Sequence, residues 1–167
     1  MTIHLLIAET KRLLSNMDTW LEKAAAHADA KKFDPNVFLQ SRLAPDMLPF
    51  IAQIQIACDS AKFAAARAAG KEAPAHPDNE QSLADARKRI ATVVAYLETF
   101  QKSDFDGADG RRVSLPRWEG KSMTATDYVV EHAIPNFFFH LTTAYAILRH
   151  NGVDIGKRDY LGALNLR

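Results

Sequence analysis

The sequence lacks most of the features from which a reaction is usually assigned. Only one of its 167 residues is cysteine, Cys58, which excludes an internal disulfide and a cysteine-based zinc site. Placed between Ala57 and Asp59, this thiol is expected to be a small buried apolar group. The chain contains no glycine-rich phosphate loop, no His-Glu-x-x-His motif and no Gly-x-Ser-x-Gly motif. No sequence motif therefore assigns a reaction.

Charge and hydropathy exclude two classes of partner. The net charge is +1, which gives no electrostatic reason for binding nucleic acid or an anionic membrane. Residues 1–11 lack the basic start and long apolar run of a signal peptide. The apolar run over residues 133–148 is interrupted by Pro135 and is shorter than the roughly 20 residues of a membrane span. We predict a cytoplasmic protein that binds neither nucleic acid nor membrane.

Apolar residues recur at helical spacing over most of the chain, which predicts an all-α, four-helix bundle in a single domain of residues 1–167. Gly70 is expected to end the second helix, and Asn79 or Ser82 to cap the third. Pro135 is expected to separate or kink the last two helical pieces. The predicted helices cover residues 2–30, 45–69, 79–101, 124–131 and 136–150.

The segment between the third and fourth helices, residues 102–122, is rich in Asp and Gly. Its alternating residues 112–116 and the turn-like residues 118–121 predict a short β-hairpin or an extended lid. The three aspartates over residues 104–109 have the wrong spacing for a calcium loop, and Leu115 stands where such a loop needs its closing Glu. We therefore predict a lid without calcium.

The last helix combines an apolar surface with two polar side chains, Asn136 and His140, one turn apart. Burying such a group without a partner costs about 2–7 kcal/mol. Neighbouring helices must therefore satisfy them, or they line a site. On the second helix, Asp46, Gln53 and Ser60 share one face because they are seven residues apart.

Two motifs carry a resemblance to a known family. One is Leu-Ala-Pro-Asp-Met-Leu-Pro-Phe at residues 43–50, followed by Gln53. The other is Ile-Pro-Asn-Phe-Phe-Phe-His-Leu-Thr-Thr-Ala-Tyr-Ala-Ile-Leu-Arg at residues 134–149, followed by Gly152 and by Gly-Lys-x-Asp-Tyr-Leu-Gly at residues 156–162. Over essentially its whole length the chain resembles the DUF1993 family, a domain of unknown function in the DinB/YfiT-like superfamily of metalloenzymes. The resemblance implies a DinB-like four-helix bundle and a homodimer.

The resemblance also implies where a metal would bind. Superfamily members with known activity include metal-dependent thiol S-transferases and a mycothiol-dependent isomerase, and three histidines hold one divalent metal in their usual site. The corresponding positions in this chain are Gln53, Asn136 and His140, so only one of the three is an imidazole. Amide side chains are poor ligands for zinc or nickel. We therefore expect the protein to bind no metal. If it does bind a divalent metal, zinc or nickel is the expected ion, and His140 and His132 are the remaining candidate ligands.

Two hypotheses for the function follow. In the first, the protein binds a small polar ligand or serves dimerisation, and a degenerate metal site formed by Asp46, Gln53, Asn136 and His140 is the pocket. In the alternative, it is a metal-dependent enzyme of the DinB-like class, a thiol S-transferase or a hydrolase, with His140 as ligand or general base. A closed network of Gln53, Asn136 and His140 favours a structural role, whereas a polar cavity near the lid favours the enzyme.

Overall fold

The apolar stripes of four long helices face one another in a bundle, as the sequence predicts. The computed structural model describes residues 2–166. A single helical turn, Ala125–Asp127, and a π-helical segment, Tyr128–Ala133, precede the last long helix, and a short helix follows it. The α-helices are α1 (Ile3–Lys31), α2 (Phe50–Ala69), α3 (Leu83–Glu98), α4 (Ala125–Asp127), α5 (Ile134–His150) and α6 (Lys157–Leu161). The all-α fold is thereby confirmed.

The predicted hairpin is present, but its second strand lies just beyond the predicted residues 102–122, so the lid extends over residues 102–124. Strand β1 (Arg112–Val113) pairs antiparallel with β2 (Met123–Thr124), so that Arg112 lies opposite Thr124. The side chains of Val113 and Leu115 are buried and attach the lid to the bundle. Short 3-10 helices complete the connections at Pro35–Gln40, Lys102–Phe105, Ala108–Gly110 and Pro116–Trp118.

Helix α2 begins at Phe50, five residues later than predicted. Pro45 lies in a turn, and Pro49 has extended backbone geometry at the residue before the helix. The residue before a proline avoids the helical conformation, so Leu48 cannot continue a helix through Pro49. The predicted end of the helix is correct, since Gly70 follows it with a positive φ of 67°.

The separation of the last two helical pieces, one of the two alternatives predicted at Pro135, is absent, and the chain is helical without interruption from Ala125 to His150. A proline inside a helix removes one backbone hydrogen bond and crowds the preceding turn. Here the turns before Pro135 have the wider π winding, which accommodates the ring and inserts an extra residue. The π segment therefore changes which side chains before Pro135 face α2.

The bundle core is mostly apolar, and fully buried Trp20, Phe50, Ile54, Phe137 and Leu141 lie in it. Helix α6 closes one side of the core, where the indole Nε1 of Trp20 donates to the carbonyl oxygen of Asp159 at 3.0 Å. Within residues 2–166 no helix combines the length and the hydrophobicity that a membrane span requires.

One group of charges is buried at the edge of this core. The Lys62 side chain is 1% exposed, and its Nζ lies 2.8 Å from an Asp59 carboxylate oxygen. The same oxygen lies 3.1 Å from the buried guanidinium of Arg89 on α3, which also pairs with Glu80 and Asp78. Asp59 therefore balances two buried cations and links α2 to α3.

We expect Asp59→Ala to lower the free energy of unfolding by about 3–5 kcal/mol, because it leaves the Lys62 ammonium buried without its counter-ion. Adding Lys62→Met should restore more than half of this loss, since the uncompensated charge is then gone. Urea denaturation measures both values. Asp18→Ala, which breaks a surface ion pair with Arg87, is the control and should cost at most about 1 kcal/mol. An equal loss in the single and double variants would contradict this account.

Candidate functional site

Gln53 and His140 form a closed pair between α2 and α5. The Nδ1 of His140 lies 2.7 Å from Oε1 of Gln53 and donates to it, while Nε2 of Gln53 donates to the carbonyl oxygen of Leu48 at 2.9 Å. Gln53 is 1% and His140 8% exposed. Burial lowers the pKa of His140, so the ring is neutral at neutral pH. The pair thus satisfies most of its own hydrogen-bonding groups.

Asn136 does not form a hydrogen bond with Gln53 or His140, the two residues with which it was grouped from the sequence. Its Nδ2 donates to Oγ of Ser60 at 2.7 Å, and that hydroxyl donates to the carbonyl oxygen of Ile56 at 2.7 Å. Two turns further along α2, Arg67 donates to the hydroxyl of Tyr128 at 2.7 Å. The predicted group of Gln53, Asn136 and His140 is therefore divided among separate hydrogen bonds.

These three hydrogen bonds lie in one row between α2 and the continuous helix of residues 125–150, and this row is called the polar seam. On α2 the seam consists of Gln53, Ser60 and Arg67, at the seven-residue spacing that keeps side chains on one face. On the other side, Asn136 and Tyr128 are eight residues apart, and the π segment between them keeps both facing α2. The heptad of Asp46, Gln53 and Ser60 seen in the sequence thus continues one step further, to Arg67.

Asp46 is not part of this seam. It is exposed in the turn before α2, and the side-chain hydrogen bonds of Gln53 go to Leu48 and His140 instead. The late start of α2 explains this position, because residues before Pro49 do not follow the helical spacing that placed Asp46 on the same face as Gln53.

A cleft of about 540 Å³ lies between α2, the π segment and the lid. Two predicted residues, Asn136 and His132, line it, whereas Gln53 and His140 do not. The two arginines of the cleft, Arg67 and Arg117, have no distinguishing signal in the sequence, because one comes from the lid and the other lies opposite the π segment. The polar lining consists of Asp59, Ser60, Arg67, Arg117, Tyr128, His132 and Asn136.

His132 is held in the cleft wall by aromatic and polar contacts. Its ring stacks on Tyr128 with centroids 5.4 Å apart, and Trp118 lies edge-on at 5.7 Å. Burial, together with the charges of Arg117 and Arg67, lowers the pKa of His132. The neutral ring accepts a hydrogen bond at Nε2 from the Arg117 guanidinium. Its Nδ1 therefore carries the proton, and this buried atom has no partner among residues 2–166.

The Arg67 side chain is held in place by two aromatic rings, one of which is the same Tyr128. Its guanidinium lies 4.3 Å from the Phe63 ring centroid and 5.4 Å from that of Tyr128, whose hydroxyl accepts its hydrogen bond. Burial raises the pKa of Tyr128, so the hydroxyl stays protonated. Within residues 2–166, neither Arg67 nor Arg117 takes part in an ion pair.

The residues at the superfamily's metal position do not fit a three-ligand metal centre. The side-chain oxygen of Gln53 accepts from His140, and Asn136 is bonded to Ser60. His140 keeps only Nε2 for a metal, and the Nε2 of His132 is engaged by Arg117. In the part of the chain that the structure describes, no group of three His, Cys, Asp or Glu side chains is placed to hold a metal ion.

The buried neutral ring of His140 predicts a pH-dependent stability. Because the folded-state pKa lies below the ordinary value of 6.5, the unfolded chain binds the proton first as the pH falls. The stability that the neutral ring contributes is complete above about pH 7 and is lost progressively as the pH falls below about 6. His140→Gln, which can still donate to Gln53, should therefore show a smaller loss of unfolding free energy as the pH falls from about 7 to below 6.

Urea denaturation at several pH values measures this difference, and His150→Gln is the matched control because His150 is exposed at the end of α5. The control should follow the wild type. If His140→Gln also followed the wild type, the His140 ring would not be held neutral by the fold.

The comparisons with known proteins agree with this architecture. Residues 3–161 match the family model described as "Domain of unknown function (DUF1993)". A DinB family member protein from Shewanella denitrificans, known from a crystal structure, is 48% identical, with a TM-score of 0.95 over 98% of this chain and 94% of that chain. No curated protein matches the chain. This protein therefore belongs to the DUF1993 family and has the fold of a DinB family member, as its two motifs predicted.

Proposed function

We propose that this protein binds a small polar ligand in the cleft between α2, the π segment and the lid. The observation that carries the proposal is the convergence of Ser60, Asn136 and His132 on a cleft of about 540 Å³. Ligand sites are typically concave, of this size, and lined by apolar side chains with a few placed polar groups. The lid contributes residues to the cleft, so it can shield a bound ligand from water.

The polar groups leave hydrogen-bonding capacity for a ligand. Asn136 uses its amide N–H to bind Ser60, so its side-chain oxygen can still accept. Ile56, Phe63 and Leu115 supply apolar surface beside it. A molecule with a polar and an apolar part suits this lining better than a fully charged metabolite does.

In this proposal the pair of Gln53 and His140 is structural and represents a degenerate metal site. Two buried polar groups that bond across a helix seam fix the register of the helices, since any slip leaves both without a partner. The Gln53–His140 pair and the open cleft together support a binding protein in which the residues at the metal position have a structural role.

A homodimer, which the family resemblance implies, stays a proposal. Phe139 on α5 is 58% exposed and Val130 on the π segment 48%, and a second copy would cover such apolar side chains. Sedimentation equilibrium at several protein concentrations tests it.

The alternative, a metal-dependent enzyme of the DinB-like class, keeps two supporting observations: a cleft with polar groups lies beside the lid, and no group among residues 2–166 engages Nε2 of His140. We expect protein purified without a His-tag, incubated with zinc or nickel and desalted, to carry far less than one equivalent of metal. His140→Ala should carry the same amount, as measured by inductively coupled plasma mass spectrometry. Near-stoichiometric metal that is lost in His140→Ala would establish the alternative instead.

Ligand binding is tested by a thermal-shift screen of small polar molecules against the wild type and Asn136→Leu. This variant keeps the branched shape and the number of heavy atoms of the side chain but removes the amide that lines the cleft. Compounds that raise the Tm of the wild type should lose most of their effect in Asn136→Leu. They should keep it in Asn165→Leu, the matched change at an exposed residue after α6. Equal shifts in both variants would place binding outside the cleft.

A further inference from the structure

We propose that the cleft selects a ligand with one carboxylate or phosphate group, which Arg67 and Arg117 bind together. This inference rests on the proposed function and specifies its ligand. The two guanidinium groups reach the cleft from different walls, Arg67 from α2 and Arg117 from the lid. Neither takes part in an ion pair within residues 2–166, so both charges lack a counter-ion.

The cleft has one negative charge of its own, Asp59, and that charge is already balanced. Its Oδ1 lies 2.8 Å from Lys62 and 3.1 Å from Arg89, so Asp59 is already engaged by two cations, although Arg89 also pairs with Glu80 and Asp78. Asp59 therefore does not neutralise Arg67 or Arg117. A cleft with apolar walls and uncompensated positive charge concentrates anions.

Both arginines are positioned before any ligand arrives. Arg67 lies against the Phe63 and Tyr128 rings and uses an N–H for the Tyr128 hydroxyl. Arg117 donates to His132, whose ring stacks on the same Tyr128. Tyr128 thus holds both guanidinium groups, one directly and one through His132. Preorganised groups lose less entropy on binding.

Each guanidinium keeps donors for an anion. A guanidinium has five N–H donors in a planar fork that matches carboxylate and phosphate oxygens. The described hydrogen bonds of Arg67 and Arg117 go to Tyr128 and His132, which leaves the other N–H groups available. The apolar lining by Ile56, Phe63, Leu115 and Pro116 then favours an anion with an apolar body over an inorganic ion.

Three probes of similar size test this inference: phenylacetate, phenyl phosphate and the neutral phenylacetamide. We expect both anions to bind the full-length protein in isothermal titration calorimetry at low salt, and phenylacetamide to bind at least about tenfold more weakly. Added NaCl should weaken anion binding, because it screens the guanidinium charges. The tighter of the two anions identifies the preferred group.

Variants locate the binding group. Arg117→Gln changes an exposed lid side chain and should weaken anion binding at least about tenfold, as should Arg67→Gln. Arg112→Gln is the matched control, since Arg112 lies on β1 and its side chain bonds Ser122 outside the cleft lining. It should bind like the wild type.

The outcomes separate this inference from the proposed function. If phenylacetamide binds as tightly as the anions and Asn136→Leu abolishes it, the cleft binds ligands but the anion preference is wrong. Anion binding that survives both Arg67→Gln and Arg117→Gln, or that Arg112→Gln weakens equally, also overturns the inference. Absence of anion binding at millimolar concentration overturns it as well, and the proposed function then depends on the thermal-shift screen alone.

Discussion

The packing of α2 against α5 depends on one constraint: every polar side chain buried between them must meet a partner. An unpaired buried group costs about 1–3 kcal/mol, which is a large fraction of the stability of a domain. Gln53 with His140, Ser60 with Asn136, and Arg67 with Tyr128 meet this requirement at two-turn intervals along α2. The seam therefore fixes the register of the two helices, and the cleft opens where the seam meets the lid.

The π segment decides what the cleft contains. If residues 128–136 were entirely α-helical, Tyr128 would be rotated away from the face that carries Asn136, and its hydroxyl could not reach Arg67. The wider winding next to Pro135 also directs His132 toward Arg117 of the lid. Pro135 thus influences the composition of the site, because the helix accommodates it by a π-helical turn and is not broken by it. In our proposal, the polar groups closest to the core are structural and those nearest the lid bind the ligand.

Much of the fold could be predicted from the sequence, because its signals are local. Apolar spacing located the long helices, Gly70 ended α2, and Ser82 caps α3 by accepting from the backbone N–H of Asp85. The π winding could not be predicted, since Pro135 has the same local signature as a helix break. In the candidate site, Asn136 was predicted to line the pocket and His132 to be a candidate metal ligand, whereas the partners of both side chains depend on long-range packing. Arg67 lies on the same face of α2 as Gln53 and Ser60, but seven residues after the last residue that was predicted for that face.

The central claim of our proposal is that His140, which pairs with Gln53, does not bind a metal. The imidazole nitrogen resonances of His140 in a two-dimensional ¹H–¹⁵N NMR spectrum, recorded before and after one equivalent of zinc, test this directly. The account predicts a neutral ring that is protonated at Nδ1, consistent with donation to Gln53, and resonances that zinc leaves unchanged. A stoichiometric shift of the His140 Nε2 resonance on adding zinc would contradict it and identify a working metal centre.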